Sequence, residues 1–243
     1  SDNATEEILQ YLILNDGDYG DHAIQSEKIT DEWLNSLAYS EDGTLRYIAA
    51  VAVDYHNRGN VLTPEAADKL ADDPLVHIRK KIASHPAALP ETLAKMANRL
   101  MKGKEEERVE TMLSNLLRND NLPSNLFAPL IKWGKTRNRE GGSAKDFRDS
   151  LTTGAFSATA QNPNAPAEIL RQIGDMMIDS AYPKESNISY SLATNKNTPE
   201  DILLKLSKSK IPYIREKALD QLANQARGVK LESLRESFKK FMK

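Results

Sequence analysis

The 243-residue chain contains no cysteine. That single absence removes disulfides, thiolate zinc sites, cysteine-ligated iron–sulfur clusters and a cysteine nucleophile from consideration. Aromatic residues are scarce, at 6%, which argues against a large enclosed apolar pocket, because such pockets are lined by aromatic side chains. No apolar run approaches the ~20 residues of a membrane-spanning helix, and the first residues lack the charged-then-apolar form of a secretory signal. Histidine is limited to His22, His56, His77 and His85, dispersed and without an H-x-x-x-H spacing, so no metal centre is expected. Gly141-Gly142 lacks the strand and the spacing of a phosphate loop. These absences predict a cytoplasmic protein with no cofactor, no catalytic residues, no membrane attachment and no small-molecule ligand.

What the chain does have is a phrase written twice. Ser157 to Asp175 reads SATAQNPNAPAEILRQIGD, and Ser191 to Ser209 reads SLATNKNTPEDILLKLSKS. Self-similarity at such a period signals a repeat architecture. Pro64, Pro90, Pro123, Pro166 and Pro199 anchor successive copies, with Thr30-Asp31-Glu32 as a degenerate sixth; the steps are 33, 26, 33, 43 and 33 residues. Proline at the first helical position has the right φ and gives up an N–H that would be unpaired anyway. A following Glu or Asp complements the helix dipole. Apolar residues then recur three or four apart, as in Ala67, Leu70 and Ala71 or Leu93, Met96 and Ala97, so each anchor opens a short amphipathic helix.

A second helix precedes each anchor and ends at Asn or His: His56-Asn57, His85, Asn119, Asn162 and Asn195. These positions read as helix stops, since Asn tolerates the geometry of a helix C-terminus and a following proline prevents continuation. A helix pair of this size cannot bury its own apolar face, but stacked neighbours can. The expected fold is all-α: one right-handed α-solenoid of about six helical-hairpin repeats. Residues 1–28 form its N-terminal cap, 29–228 the repeats with an insertion near 132–148, and 229–243 a C-terminal capping helix.

The phrases Asn162 to Leu170 and Asn195 to Leu203, with Asp73-Pro74-Leu75-Val76-His77-Ile78-Arg79 followed by Ala83-Ser84-His85-Pro86, resemble the leucine-rich repeat variant family. The match covers Leu62 to Ala97 and Ser157 to Ala223. The resemblance implies an α-solenoid akin to HEAT and armadillo arrays and an interaction scaffold. It carries over no catalytic residue, and the cysteine-free chain has no counterpart of the iron–sulfur module that accompanies such repeats.

Functional residues are sought where the repeat is broken. Residues 1–60 hold twelve acidic residues against three basic ones, although the whole chain carries a net charge of only −2, so the charge is polarised. The long 43-residue step places its excess in 132–148, read as a loop with a Trp and a Gly-Gly. Its Lys132, Trp133, Lys135, Arg137, Arg139, Lys145 and Arg148 are the candidate binding residues, of a kind that contacts phosphates and stacks a base. The helix from Lys230 to Lys243 is amphipathic and basic, and reads as a terminal cap. The leading expectation is a scaffold that binds a protein partner on a concave surface. The alternative is a nucleic-acid-binding solenoid using the basic C-terminal two-thirds, with a HEAT-like DNA glycosylase as a remoter form resting on fold analogy.

Overall fold

Every anchor read from the sequence opens or immediately precedes a helix in the computed structural model, which describes residues 6–15, 26, 28–52, 62–103, 109–137, 145–179 and 186–241. Thirteen α-helices and no strand occur among the described residues, so the fold is all-α. The chain divides into two compact units, Ser1–Pro123 and Ser124–Lys243.

The first unit opens with α1 (Glu6–Asn15). Three helix pairs follow: α2 (Asp31–Leu37) with α3 (Gly43–Val51), α4 (Pro64–Ala71) with α5 (Val76–Ala83), and α6 (Pro90–Met101) with α7 (Val109–Arg118). The partners of each pair pack together. Second helices also stack on second helices, α3 on α5 and α5 on α7, while α4 stacks on α6 in a parallel layer. The local causes are those expected. Thr63 Oγ1 accepts the Ala66 N–H at 3.2 Å, Pro64 takes the first helical position, and Ala66, Ala67, Leu70 and Ala71 face inward and are buried. Each fully buried leucine contributes roughly 1.5–3 kcal/mol of transfer free energy. Gly103, at φ 69°, follows the end of α6, a backbone conformation that side chains disfavour.

The second unit repeats the plan. A 3-10 turn (Ser124–Leu126) leads into α8 (Phe127–Arg137), which pairs with α9 (Lys145–Gln161). Then α10 (Ala167–Asp179) pairs with α11 (Ser186–Thr194), and α12 (Glu200–Leu206) with α13 (Pro212–Phe241). Second helices α9, α11 and α13 stack in order, and α10 stacks on α12. That last approach is close: a Cβ on Gly174 would lie 2.7 Å from Ile202 Cγ2.

The residues read as helix stops do more than stop helices. Asn195 Oδ1 accepts the Asn197 N–H at 2.9 Å, closing the turn after α11. Its Nδ2 donates backwards, to the carbonyls of Ala160 and Asn162, both at 2.8 Å. Asn197 Nδ2 donates to Pro163 O and Ala165 O at 2.9 and 3.1 Å. The first unit has the same set of bonds. Asn119 Oδ1 accepts the Asn121 N–H at 2.9 Å, while the Asn119 amide reaches Ala83 O and His85 O at 3.1 and 3.0 Å. Asn121 reaches Pro86 O and Ala88 O at 2.9 and 3.1 Å. In the earlier of these turns His85 substitutes, its Nδ1 accepting the Ala87 N–H at 3.0 Å. Within each unit the asparagine pair is therefore a device that ties one turn to the turn a repeat before it, at 119–121 in the first unit and at 195–197 in the second. Gln225 of α13 ends the series, donating to Lys196 O and Thr198 O at 3.4 and 2.9 Å.

A second device sits at the start of second helices. Ser40, Asp73 and Ser209 each accept the N–H two residues on, at 3.1, 2.8 and 3.2 Å. An arginine six residues later folds back: Arg46 Nη1 donates to Ser40 O and Glu41 O at 3.0 and 2.7 Å, and Arg215 Nη1 donates to Ser209 O at 3.0 Å. Arg79, buried, does the same to Asp73 O and Pro74 O. Arg46 also forms a bidentate pair with the buried Asp73 of the next repeat. Burial opposes ionisation of Asp73, but the hydrogen bonds from Arg46 and the Leu75 N–H and the charges of Arg46 and Arg79 outweigh it, so its carboxyl stays below its ordinary value.

Three features differ from the sequence reading. The 132–148 stretch is not a loop throughout: α8 runs to Arg137 and α9 begins at Lys145, while 138–144, with Arg139 and Gly141-Gly142, lies outside the described residues. The C-terminal helix expected as a separate element is the continuation of one 30-residue helix, α13. Pro199 takes the cap position of α12, without a side-chain bond, rather than its first helical position, and the buried Thr198 hydroxyl beside it donates to Leu192 O at 2.6 Å. Of the two terminal caps expected, 1–28 contains α1, with residues 16–25 outside the description.

Two measurements check these devices. Asn195→Ala strips the donor from two buried carbonyls and should destabilise the protein by about 2–4 kcal/mol in urea unfolding; a change near zero would remove the bridge from any structural role. Asp73→Asn leaves the half-buried Arg46 without the carboxylate it is bonded to and should cost about 3 kcal/mol at neutral pH. Because the folded-state pKa of Asp73 is below the ordinary 3.8, its contribution is complete well above that value and is lost as pH falls from about 3.8 through the folded value. The Asn variant should accordingly lose less stability than wild type over that acid range.

Candidate binding surface

Three exposed tyrosines, Tyr47, Tyr190 and Tyr213, lie on second helices. Tyr47 of α3 meets His77 of α5 edge to face, with ring centroids 5.3 Å apart. Tyr190 of α11 meets Tyr213 of α13 at 6.0 Å. The two pairs are in register with the repeat. His77 stands two residues before Arg79, and Tyr213 two before Arg215; Tyr190 stands five before Asn195, as Lys80 does before His85 and Tyr47 one repeat earlier. Tyr190 is 41% exposed and Tyr213 47%, so neither ring is consumed by the core. Beside Tyr190 lies an open groove of about 510 Å³ between the ends of α9 and α11, edged by Gln161, Asn187, Thr194 and Lys196. It presents amide, hydroxyl and ammonium groups around a phenol ring, which suits an extended chain whose own amides need partners.

The first-helix face is of a different kind, with exposed ion pairs crossing between neighbours. Lys95 Nζ reaches both oxygens of Asp68 at 2.8 and 2.9 Å, and Arg99 reaches Asp72 at 3.4 Å. The hydrogen bonds from Lys95 and then Thr92 hold Asp68 below its ordinary value. In the second unit Arg171 pairs with Asp201 at 3.2 Å and Lys205 with Asp175 at 2.6 Å, and the bond from Arg171 likewise depresses Asp201. Exposed pairs of this sort set the alignment of neighbouring helices more than they add stability.

Of the residues proposed from the sequence, Lys132, Trp133 and Lys135 all lie on α8 rather than on a loop. Trp133 is half-buried, and Lys132 and Lys135 are exposed. Lys135 Nζ lies 5.1 Å from the centre of the Phe156 ring and 3.5 Å from Met176 Sδ. Lys132 and Lys135 thus share the rim of a cleft between α8 and α10, which Trp133 does not line. Arg137 is the last residue of α8, and Lys145 and Arg148 fall in the first turn of α9. Sequence reasoning missed the aromatic pairs altogether. Their signal was the recurrence of an aromatic residue at fixed offsets from Arg79, Arg215 and Asn195, visible only once the helices are stacked.

Among the described residues no group of three or more His, Asp or Glu converges as a metal site would require, and no helix is long and apolar enough to cross a membrane. No family model matches the chain, and no curated protein or solved structure does so significantly.

Proposed function

We propose that the chain is a non-catalytic binding scaffold, an α-solenoid of about six helical-hairpin repeats, that holds an extended segment of a protein partner along its second-helix face. The observation that carries this reading is the recurrence of an exposed aromatic pair at matching repeat positions in both units, Tyr47 with His77 and Tyr190 with Tyr213. An isolated exposed ring is ordinary; an aromatic pair at the equivalent position of each unit gives each unit a matching patch, and a peptide segment laid across two stacked second helices meets both rings of a pair. The groove beside Tyr190 adds the polar groups that such a ligand needs. The resemblance of the repeated phrases to leucine-rich repeat variants supports the same reading.

The test is selection of binding peptides from a displayed random library on the intact chain. Selected peptides should lose affinity by at least about tenfold, or 1.4 kcal/mol, on Tyr190→Ala or Tyr213→Ala, with the thermal unfolding of these variants unchanged. Peptides indifferent to all four aromatic residues would remove the surface from the reading. Binding of single-stranded RNA with a steep loss of affinity on added salt would replace it with the nucleic-acid alternative.

A further inference from the structure

The first-helix junctions of the repeat are closed by opposite charges in two places and left open in a third. Between α4 and α6 two acids face two bases, and between α10 and α12 each helix supplies one acid and one base. Between α8 and α10 the pattern fails. Lys132 and Lys135 stand on one side with Gln172 and Met176 opposite, and among the described residues neither lysine has a carboxylate partner. The Lys135 ammonium rests instead on the face of Phe156 and against the Met176 thioether, a weaker arrangement for an exposed cation.

The same junction also holds an open cleft. A cleft of about 160 Å³ separates the two helices. Its floor is apolar and buried: Phe156 is 5% exposed, Ile169 8% and Ile173 1%. A volume of this size takes one bulky apolar side chain, being roughly five times the share of a liquid water molecule. Missing negative charge and missing apolar volume therefore occur at one place.

We propose that this cleft is a second binding site, distinct from the second-helix face, and that it takes a short acidic peptide segment of a partner protein. An aromatic or branched aliphatic side chain of the peptide fills the cleft over Ile173, displacing the Lys135 side chain from Phe156. Carboxylates flanking that residue then pair with Lys132 and Lys135, supplying the counter-charge that the α8–α10 junction lacks. Burial of the apolar residue provides affinity, and the two exposed lysines select for acidic neighbours and speed encounter rather than adding much binding energy.

The experiment uses the full chain labelled with 13C-methyl methionine and an acetylated peptide in which one Phe is flanked on each side by a pair of Glu. The Met176 methyl resonance, identified by its loss in Met176→Leu, should shift on titration with a Kd on the order of 100 μM. Replacing the peptide's Phe by Ala, or its Glu residues by Gln, should weaken binding at least about tenfold. Met176→Glu places a carboxylate within reach of Lys135, closes the junction from within and should weaken the peptide by a similar factor. Lys132→Gln with Lys135→Gln should do the same, and all three chains should keep wild-type circular dichroism. An unmoved Met176 signal at millimolar peptide overturns the proposal, as does equal affinity for Met176→Glu. Tyr190→Ala should leave this peptide's affinity unchanged, so failure of the second-helix reading and failure of this one are separate outcomes.

Discussion

The side-chain amide of asparagine, placed where one repeat turns into the next, is the interaction on which the rest of the structure depends. A turn buried between helix pairs carries main-chain carbonyls that neither helix can satisfy, and each one left unpaired away from water costs about 1–3 kcal/mol. Asn195 meets this constraint with three bonds, one accepted from its own turn and two donated to the preceding turn. Asn197 adds two more. An aspartate has no donor for the backward bonds, and a serine is too short to reach them. The N-x-N spelling at 119–121, 162–164 and 195–197 follows from that geometry. Helices fixed through their turns cannot slide relative to one another, so the register of α7 on α5 and of α11 on α9 is set at these points.

The arginine device works on the opposite ends of the same helices and carries a larger stake. Arg79 and Arg46 are spent on the carbonyls of the turns that lead into their own helices, and Arg46 is also bound to the Asp73 carboxylate of the following repeat. A buried charge held this way contributes little beyond what apolar residues of equal volume would. It is intolerant of any shift that separates the pair. Asparagines at one end of the second helices and arginines at the other thus define position rather than supply the bulk of the stability, which comes from the aliphatic core of Leu70, Ile78, Ile82 and Leu93 in the first unit and Leu130, Leu170, Leu192 and Leu203 in the second.

What the sequence shows follows from the range of each interaction. Helix starts were legible at Thr63-Pro64-Glu65 because a cap, a fixed φ and a dipole-compatible acid act within one turn. The apolar stripes were legible for the same reason, since period 3.6 is local. Asn195 was read as a helix stop, which its position justifies, but its backward bonds join residues 33 and 35 apart and leave no trace in a local pattern. The 132–148 stretch was read as a loop because its charges and glycines outweighed its period, although Lys132 and Lys135 continue α8. The lysines stood out by their departure from the repeat, whereas the ring and thioether beside Lys135 come from 21 and 41 residues further along the chain.

A repeat protein uses its repeated residues on itself. Asn119, Asn121, Asn195, Asn197, Arg79 and Arg215 are committed to carbonyls of their own chain and present little to a partner. In the proposed scaffold, recognition falls on positions that the repeat constrains in space but not in chemistry. The second-helix position of Tyr47 and Tyr190 is one: it becomes Lys80 in the pair between, with no penalty to the core because the side chain points out. The first-helix junction is the other. There the scaffold tolerates either an internal ion pair or its absence, because an exposed pair is worth little. Omitting it at α8–α10 therefore costs the fold almost nothing and leaves two cations and an apolar cleft open to solvent. Stability and binding are kept on different residues of the same helices, which allows one surface to change without disturbing the turns that hold the stack.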